Sequence, residues 1–338
     1  MSSDKIKIGI VGFGYWGPNL ARNFAASDFY DLAWIADISE KGRTAAQKFY
    51  PLAKTTDRYK DILDDASVEL VAIATPTKTH HQIAKDALFA EKHVLVEKPM
   101  ASSSAEAEEL VKISRNKKLV LAVDHPFLYS APVRKLKEVI DSGELGDIFF
   151  ADSERINLGL IQKDVNVFWD LAVHDLYIMD YLFGGKLPIS LVAEAESYTQ
   201  MEQHEFGTVS LRYPERRIVN ITASWLSPVK TRRMMIVGSK KMAHYDDVNP
   251  DEKLKIIDKG VEYSREADKA LSPIYRWGDA VLPRLANKEP LALEIEELYG
   301  AIREGKKIPS LGEDGARIIK TLEAVNESLK FRREVKLC

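Results

Sequence analysis

The chain has 338 residues, 45% of them hydrophobic and 29% charged, with a formal net charge of −3. That length suits two domains of ordinary size, and that composition excludes disorder, a coiled coil and a membrane bundle. The small charge and scattered basic residues exclude a surface built for nucleic acid or an anionic membrane; the local cluster Lys230, Arg232 and Arg233 reads as a solvated strand end, with a contact to a phosphate as the other reading.

Along the first part, short β-branched runs alternate with amphipathic helical stretches, the rhythm of a parallel sheet with crossover helices. Strands are expected at Lys7–Val11, Leu32–Ala36, Leu70–Ala74, Val94–Val96 and Leu119–Val123. Helices are expected near Gly17–Ala26, Glu40–Phe49, His81–Ala90 and Ser104–Asn116, the last capped by Ser104. After Val123 the rhythm changes. A turn marked by Pro126 and Pro132 leads into a helix ending at SGELG, and strand-like runs then dominate from Ile148 to about Ile257, with SLVAEAESY, TVSLRYP, RRIVNITASW and RMMIVGS reading as successive antiparallel strands. One helix, Phe168–Phe183, interrupts them. Asp247–Ser272 is charged and expected to be loop-rich, and helices return at Leu291–Glu304 and Gly312–Leu329. The expected architecture is an α/β Rossmann domain with a parallel sheet over residues 1–123. An α+β domain with a large open, mostly antiparallel sheet should follow over 124–338.

The opening MSSDKIKIGIVGFG carries no basic leader ahead of an apolar core, and no stretch is apolar enough to span a bilayer. Cys338 is the only cysteine, so no internal disulfide is possible and a reducing, cytoplasmic setting is expected.

The strand IKIGIV runs into GFGYWG, a G-x-G-x-x-G turn comprising Gly12, Phe13, Gly14, Tyr15, Trp16 and Gly17. In such a turn the first glycine permits the bend, the second admits a pyrophosphate to the backbone, and the third lets helix and sheet pack closely. The N–H groups opening the next helix then face the negative charge. Asp37, twenty positions beyond Gly17, ends the second strand, where a carboxylate accepts from both adenosine ribose hydroxyls and repels a 2′-phosphate. NAD is therefore expected over NADP. Arg43 lies too far along the following helix to be read as a 2′-phosphate ligand. Thr75 and Pro76 leave a strand at the carboxyl edge of the sheet, where ligands of doubly wound folds bind; His80 reads either as a contact to the cofactor ribose or as an exposed residue opening a helix.

VGFGYWG, ATPTKTHHQIAKDAL, HVLVEKPMASS, SGELGDI, WDLAVHDLYIMDYLFGG and GEDGARIIKTLEA follow one another in the order seen in the Gfo/Idh/MocA oxidoreductases, which the chain resembles over nearly its whole length. The resemblance implies that Lys98 of the E-K-P motif is the catalytic lysine and that Asp170 and His174 form the D-x-x-x-H pair. On spacing alone Asp170 and His174 also fit an ordinary surface pair; on a helix they share a face, where the acid can orient the imidazole. Oxidising a secondary alcohol needs an acceptor for the hydroxyl proton, which suits His174, and a donor to the developing alkoxide, which suits Lys98. Lys98 as the base is the open alternative, since a desolvated lysine titrates lower. Glu97 either orients Lys98 or meets the cofactor ribose. No metal is expected, because no cysteine lies near and one acid beside HDL completes no ligand set.

Family members act on sugars, polyols and nucleotide conjugates, and the second domain's sheet commonly makes oligomer contacts, so a homodimer or homotetramer is expected. Longer stretches such as ERINLGLIQKDVNVFWDLAVHDL resemble the nucleotide-sugar subset of UDP-N-acetylglucosamine 3-dehydrogenase type, implying oxidation at C3 of a UDP-linked N-acetylhexosamine. A free sugar or polyol as substrate, and a non-catalytic NAD-binding regulator, are the alternatives. Where many relatives carry Arg-Phe after the sixth strand, this chain has Leu128 and Tyr129. Arg155, Asn157, Asn166, Trp169 and Tyr177, close in sequence to the His174 helix, are the expected substrate contacts beside Lys98 and His174; for Trp169 and Tyr177 a place in the core is the other reading.

Overall fold

The computed structural model describes residues 5–162, 165–199, 202–264 and 272–337. Cys338, the residues before 5 and the stretch 265–271 of the expected loop-rich region lie outside the described residues. The chain forms two compact units, Met1–Tyr129 with Lys288–Lys320, and Ser130–Asn287 with Thr321–Cys338.

The first unit begins as the alternation predicts: β1 (Ile6–Val11), α1 (Gly17–Ala26), β2 (Tyr30–Ala36), α2 (Glu40–Phe49), β3 (Lys54–Thr56), α3 (Tyr59–Asp64), β4 (Leu70–Ile73), α4 (His80–Phe89), β5 (His93–Glu97), α5 (Ser104–Lys117) and β6 (Leu121–Asp124). The six strands form one parallel sheet in the order β3-β2-β1-β4-β5-β6. Strand order reverses between β1 and β4, which makes the carboxyl ends there a crevice for a ligand. Ile6, Ile8, Ile10, Leu70, Val94 and Val96 are fully buried, as strands covered on both faces require. The short elements β3 and α3 escape a reading by periodicity because neither is long enough to show one. Ser103, not Ser104, caps α5: its Oγ accepts from the Glu106 N–H at 3.3 Å.

The second unit contains α6 (Ala131–Asp141), β7 (Ile148–Leu158), a π-helical turn (Phe168–Ala172), α7 (Val173–Leu182), β8 (Ser190–Glu196), β9 (Phe206–Arg212), β10 (Ile218–Ser224), β11 (Leu226–Gly238), β12 (Met242–Asp246), β13 (Leu254–Ser264) and β14 (Ser272–Val281). With a final β15 (Val335–Lys336) they form a nine-stranded sheet, β14-β13-β12-β11-β7-β10-β9-β8-β15, antiparallel except for the pair β10 and β7. Among its described residues the expected loop-rich stretch is instead mostly strand: Leu254 and Ile256 are buried at alternate positions and continue the sheet, with the half-buried Lys255 between them. Val192, Ser210, Asn220, Asp152 and Met235 lie in register across one sheet face and are exposed or half-exposed, while Ala151, Ser153 and Arg155 on the other are buried.

After β14 come α8 (Pro290–Glu304) and α9 (Gly312–Phe331). The expected division at 123/124 omits this return of the chain. Leu291, Ile295 and Leu298 of α8 join the core of the first unit with Ile6, Leu20 and Phe24, so 288–320 belong to that unit. Their apolar periodicity announces a helix but not the sheet it covers. The edge of β6 is closed as well: the Val123 N–H donates to the Ser310 carbonyl at 2.7 Å, and Ala122 bridges to Leu311.

Candidate active site

In the first unit the glycine turn has the geometry its spacing implies. Gly12 has φ +97°, and a Cβ there would lie 2.6 Å from the Ala74 carbonyl oxygen; one on Gly17 would lie 2.1 Å from the Gly12 oxygen. Only glycine fits either place. Around Gly14 there is open space, as a site for a pyrophosphate against the backbone needs. No side chain caps the first turn of α1, and Pro18 brings no N–H of its own, so the helix start faces the turn with its positive end uncovered. Phe13 is buried under the turn, Tyr15 is exposed, and the half-buried Trp16 donates its Nε1–H to Asp124 Oδ2 at 2.5 Å.

Asp37 does more than the sequence shows. Its Oδ2 accepts from the Phe13 N–H at 2.6 Å, and its Oδ1 from the Ser39 N–H and Oγ–H at 2.8 and 2.6 Å. Burial opposes the charge, yet the bonds from the Ser39 hydroxyl and the Phe13 and Ser39 amides hold the carboxyl below its ordinary value. Oδ2, with a single donor, keeps a further lone-pair direction for a ribose hydroxyl. Arg43 reaches this end of the sheet after all: its Nη1 donates to the carbonyls of Asp37 and Ile38 at 2.9 and 3.1 Å. The helix turn that separates them in sequence folds the long side chain back. The residues present thus fit a dinucleotide: a turn that a Cβ would fill, an uncapped helix start and an ionised carboxylate at the ribose end.

Thr75 and Pro76 leave β4 at the sheet's carboxyl edge as expected, and the Thr79 hydroxyl ties that turn to Thr75 Oγ1 and the Pro76 carbonyl at 2.7 and 2.8 Å. His80 follows neither reading of the sequence. It is 1% exposed, with Nδ1 2.9 Å from the Pro99 carbonyl and Nε2 2.7 Å from the Thr75 carbonyl. Both ring nitrogens face backbone carbonyls, and the neutral ring's single N–H donates to one of them, so His80 packs between the β4 exit and the turn after β5 with neither nitrogen turned to a ribose. Glu97 and Lys98, both half-buried, end β5 there, and the Lys98–Pro99 peptide is cis.

The second unit holds Asp170 in the π-helical turn and His174 in the first turn of α7, both half-buried. The single expected helix is therefore two: the Val173 N–H reaches back five residues to the Phe168 carbonyl before α-geometry resumes. Trp225 donates its Nε1–H to Asp170 Oδ2 at 3.0 Å. Next to His174, the buried Asp175 receives Arg155 Nε and Nη2 at 2.7 and 3.2 Å and the Ser153 hydroxyl at 2.8 Å.

That ion pair corrects the expectation for Arg155, which is 1% exposed and pins α7 to β7 instead of presenting a guanidinium to a ligand. Asn166 is likewise structural: its Oδ1 accepts from the Phe168 and Trp169 N–H groups at 3.1 and 3.3 Å, and its Nδ2 donates to Asn326. Trp169 and Tyr177, 7% and 1% exposed, take the core reading. Of the expected substrate contacts in this unit, Asn157 and His174 remain partly accessible. Leu128 and Tyr129, both buried, replace any charge after β6, the Tyr129 hydroxyl pairing with Ser310 Oγ at 2.8 Å. Asp175, Trp225, Asp124 and Glu294 were missed. Acids inside apolar runs, as in VHDLYIMDYL and LALEIEEL, were the available signal that they are buried and partnered. No cluster of three or more metal-ligating side chains occurs among the described residues, nor a helix long and apolar enough to cross a membrane.

A doubly wound sheet with this turn and carboxylate defines an NAD-binding oxidoreductase. Residues 6–125 match the oxidoreductase family with an NAD-binding Rossmann fold, and residues 133–244 match the Gfo/Idh/MocA C-terminal domain. The chain belongs to the Gfo/Idh/MocA oxidoreductase family, and its cofactor is NAD. It is 27% identical to the UDP-N-acetylglucosamine 3-dehydrogenase of Acidithiobacillus ferrooxidans, over 93% of this chain and 94% of that one. It is 23% identical to the myo-inositol 2-dehydrogenase of Thermotoga maritima over 98% of both chains. Among solved structures, GenD2 from gentamicin A biosynthesis, in complex with NAD, superimposes with a TM-score of 0.85 at 20% identity, covering 100% of this chain and 98% of that one.

Proposed function

We propose that this chain oxidises a sugar secondary alcohol to a ketone, and that its substrate is a UDP-linked N-acetylhexosamine oxidised at C3. The observation that carries the substrate is the near full-length similarity to a UDP-N-acetylglucosamine 3-dehydrogenase. NAD, when bound, supplies the hydride acceptor. The chain's residues do the rest. Gly12, Gly14, the start of α1 and Asp37 bind the cofactor; Thr75, Pro76 and Glu97 line its approach at the sheet edge. His174 takes the hydroxyl proton, Asp170 orients it, and the Lys98 ammonium donates a hydrogen bond to the oxygen as negative charge develops there. Asn157 offers an amide to the sugar.

Stopped-flow absorbance at the NADH band, with NAD and UDP-N-acetylglucosamine, tests the reading: a substrate-dependent rise is expected. The second reading, a free polyol, is favoured by the full-length similarity to myo-inositol 2-dehydrogenase. Reduction by inositol or glucose with none by the UDP-sugar would establish it and sink the first. The expected homodimer or homotetramer is supported by the open sheet face bearing Val192, Phe206 and Met235, and light scattering tests it.

A further inference from the structure

Asp124 ends β6 and Glu294 lies in α8; both are 1% exposed, and neither belongs to a motif or to the reaction above. Glu294 bonds the amide of His125, the residue after Asp124, and the two carboxyl groups act on each other's protonation. Asp124 Oδ1 and Glu294 Oε2 are buried and receive no N–H among the described residues, and a proton held between the two carboxyls would satisfy both. Each outer oxygen is anchored. Asp124 Oδ2 takes the Trp16 indole N–H of the glycine turn at 2.5 Å, and Glu294 Oε1 takes the His125 amide at 2.9 Å. At the end of β5, the Lys98 charge favours the Asp124 carboxylate, and the Glu97 charge opposes ionisation of Glu294. Burial pushes both carboxyls up, Asp124 to about 6 and Glu294 well above the carboxylate range.

We propose that Asp124 and Glu294 are a positioning pair that holds one proton and one negative charge, fixes Trp16 in the NAD turn, and so makes cofactor affinity depend on that proton. With the proton present, every outer oxygen has its donor and the pair offers Lys98 one anion. When the proton leaves, two buried carboxylates face each other beside Glu97, and their repulsion separates the groups that hold Trp16. Cofactor affinity then falls on the alkaline side.

NADH binding, followed by its fluorescence from pH 6 to 10 with no sugar present, tests this. The inference rests on the cofactor site alone, so a wrong substrate assignment leaves the titration readable. The wild-type Kd should rise at least about threefold across the alkaline limb, up to tenfold per pH unit for one proton. E294Q, whose amide donates to Asp124 at every pH, should remove that limb while keeping neutral-pH affinity within about twofold. D124N should flatten it too, because Glu294 then ionises beside a neutral amide. A flat wild-type profile, or a limb that survives in both variants, overturns the proposal.

Discussion

The two units hold their candidate functional side chains by different means. In the first, Gly12, Asp37 and Lys98 sit where backbone rules put them: at a tight turn and at the ends of two parallel strands. In the second, Asp170 and His174 ride on a helical segment whose place is set by side chains far away in the chain, Arg155 and Ser153 on β7 and Trp225 before β11. A site of the first kind survives most changes around it. One of the second kind is as secure as its buried polar contacts.

Removing Asp175 should be the harshest test of that contrast. Asp175→Ala leaves the Arg155 charge without its buried carboxylate, which costs about 3–5 kcal/mol. Denaturant unfolding should show the loss, and cofactor affinity in the first unit should change little. Replacing the pair with Arg155→Met and Asp175→Leu should recover most of the stability, since apolar replacement of buried pairs is often neutral or better. If the double variant is no better than the single, the ion pair is not what places α7.

Lys98→Ala comes next. Loss of the donor to the developing alkoxide should lower kcat by about 10²–10³ with NADH affinity nearly unchanged. Normal turnover would refute its role. Asp37→Asn should have a smaller effect, weakening NAD by about tenfold and narrowing the preference over NADP, because the replacement removes the repulsion of a 2′-phosphate. Unaltered NAD/NADP ratios in kcat/KM would remove Asp37 from the ribose site.

The mildest effect concerns pH. Burial holds His80 below its ordinary value of 6.5, so it stays neutral in the fold while the unfolded chain takes up a proton. Below 6.5 the unfolded state therefore binds more protons, and stability falls as the pH drops through that range and is level above it. His80→Gln should lessen this acid sensitivity, read from denaturation midpoints between pH 5 and 7.5.

The same contrast explains what could be read from the sequence. Strand ends, the glycine turn and the Lys98 edge are local, and their periodicity and spacing place them within a residue or two. Spacing alone singles out Asp37, but its second role, tying Phe13 to the turn, arises only in the fold. Arg155 was misjudged for the opposite reason. A basic residue near a catalytic helix suggests a ligand contact, and only the fold reveals that Asp175, one helix turn into the same segment, already holds it. His80 was read as a helix-start residue facing either ribose or water; two carbonyls brought together by the ends of β4 and β5 claimed it instead.

The closure of β6 by Ser310 and Leu311 has a consequence for how the protein is made. A ribosome emits β6 and then eight of the nine strands of the second sheet, all but β15, before it reaches those residues, a delay on the order of ten seconds or more at ordinary synthesis rates. During that interval the cofactor unit has an open strand edge and lacks the apolar face of α8 over its core. The cofactor unit's sheet is thus made well before it can be finished, and a nascent chain must be kept from pairing that edge with a neighbour until its own later segment arrives.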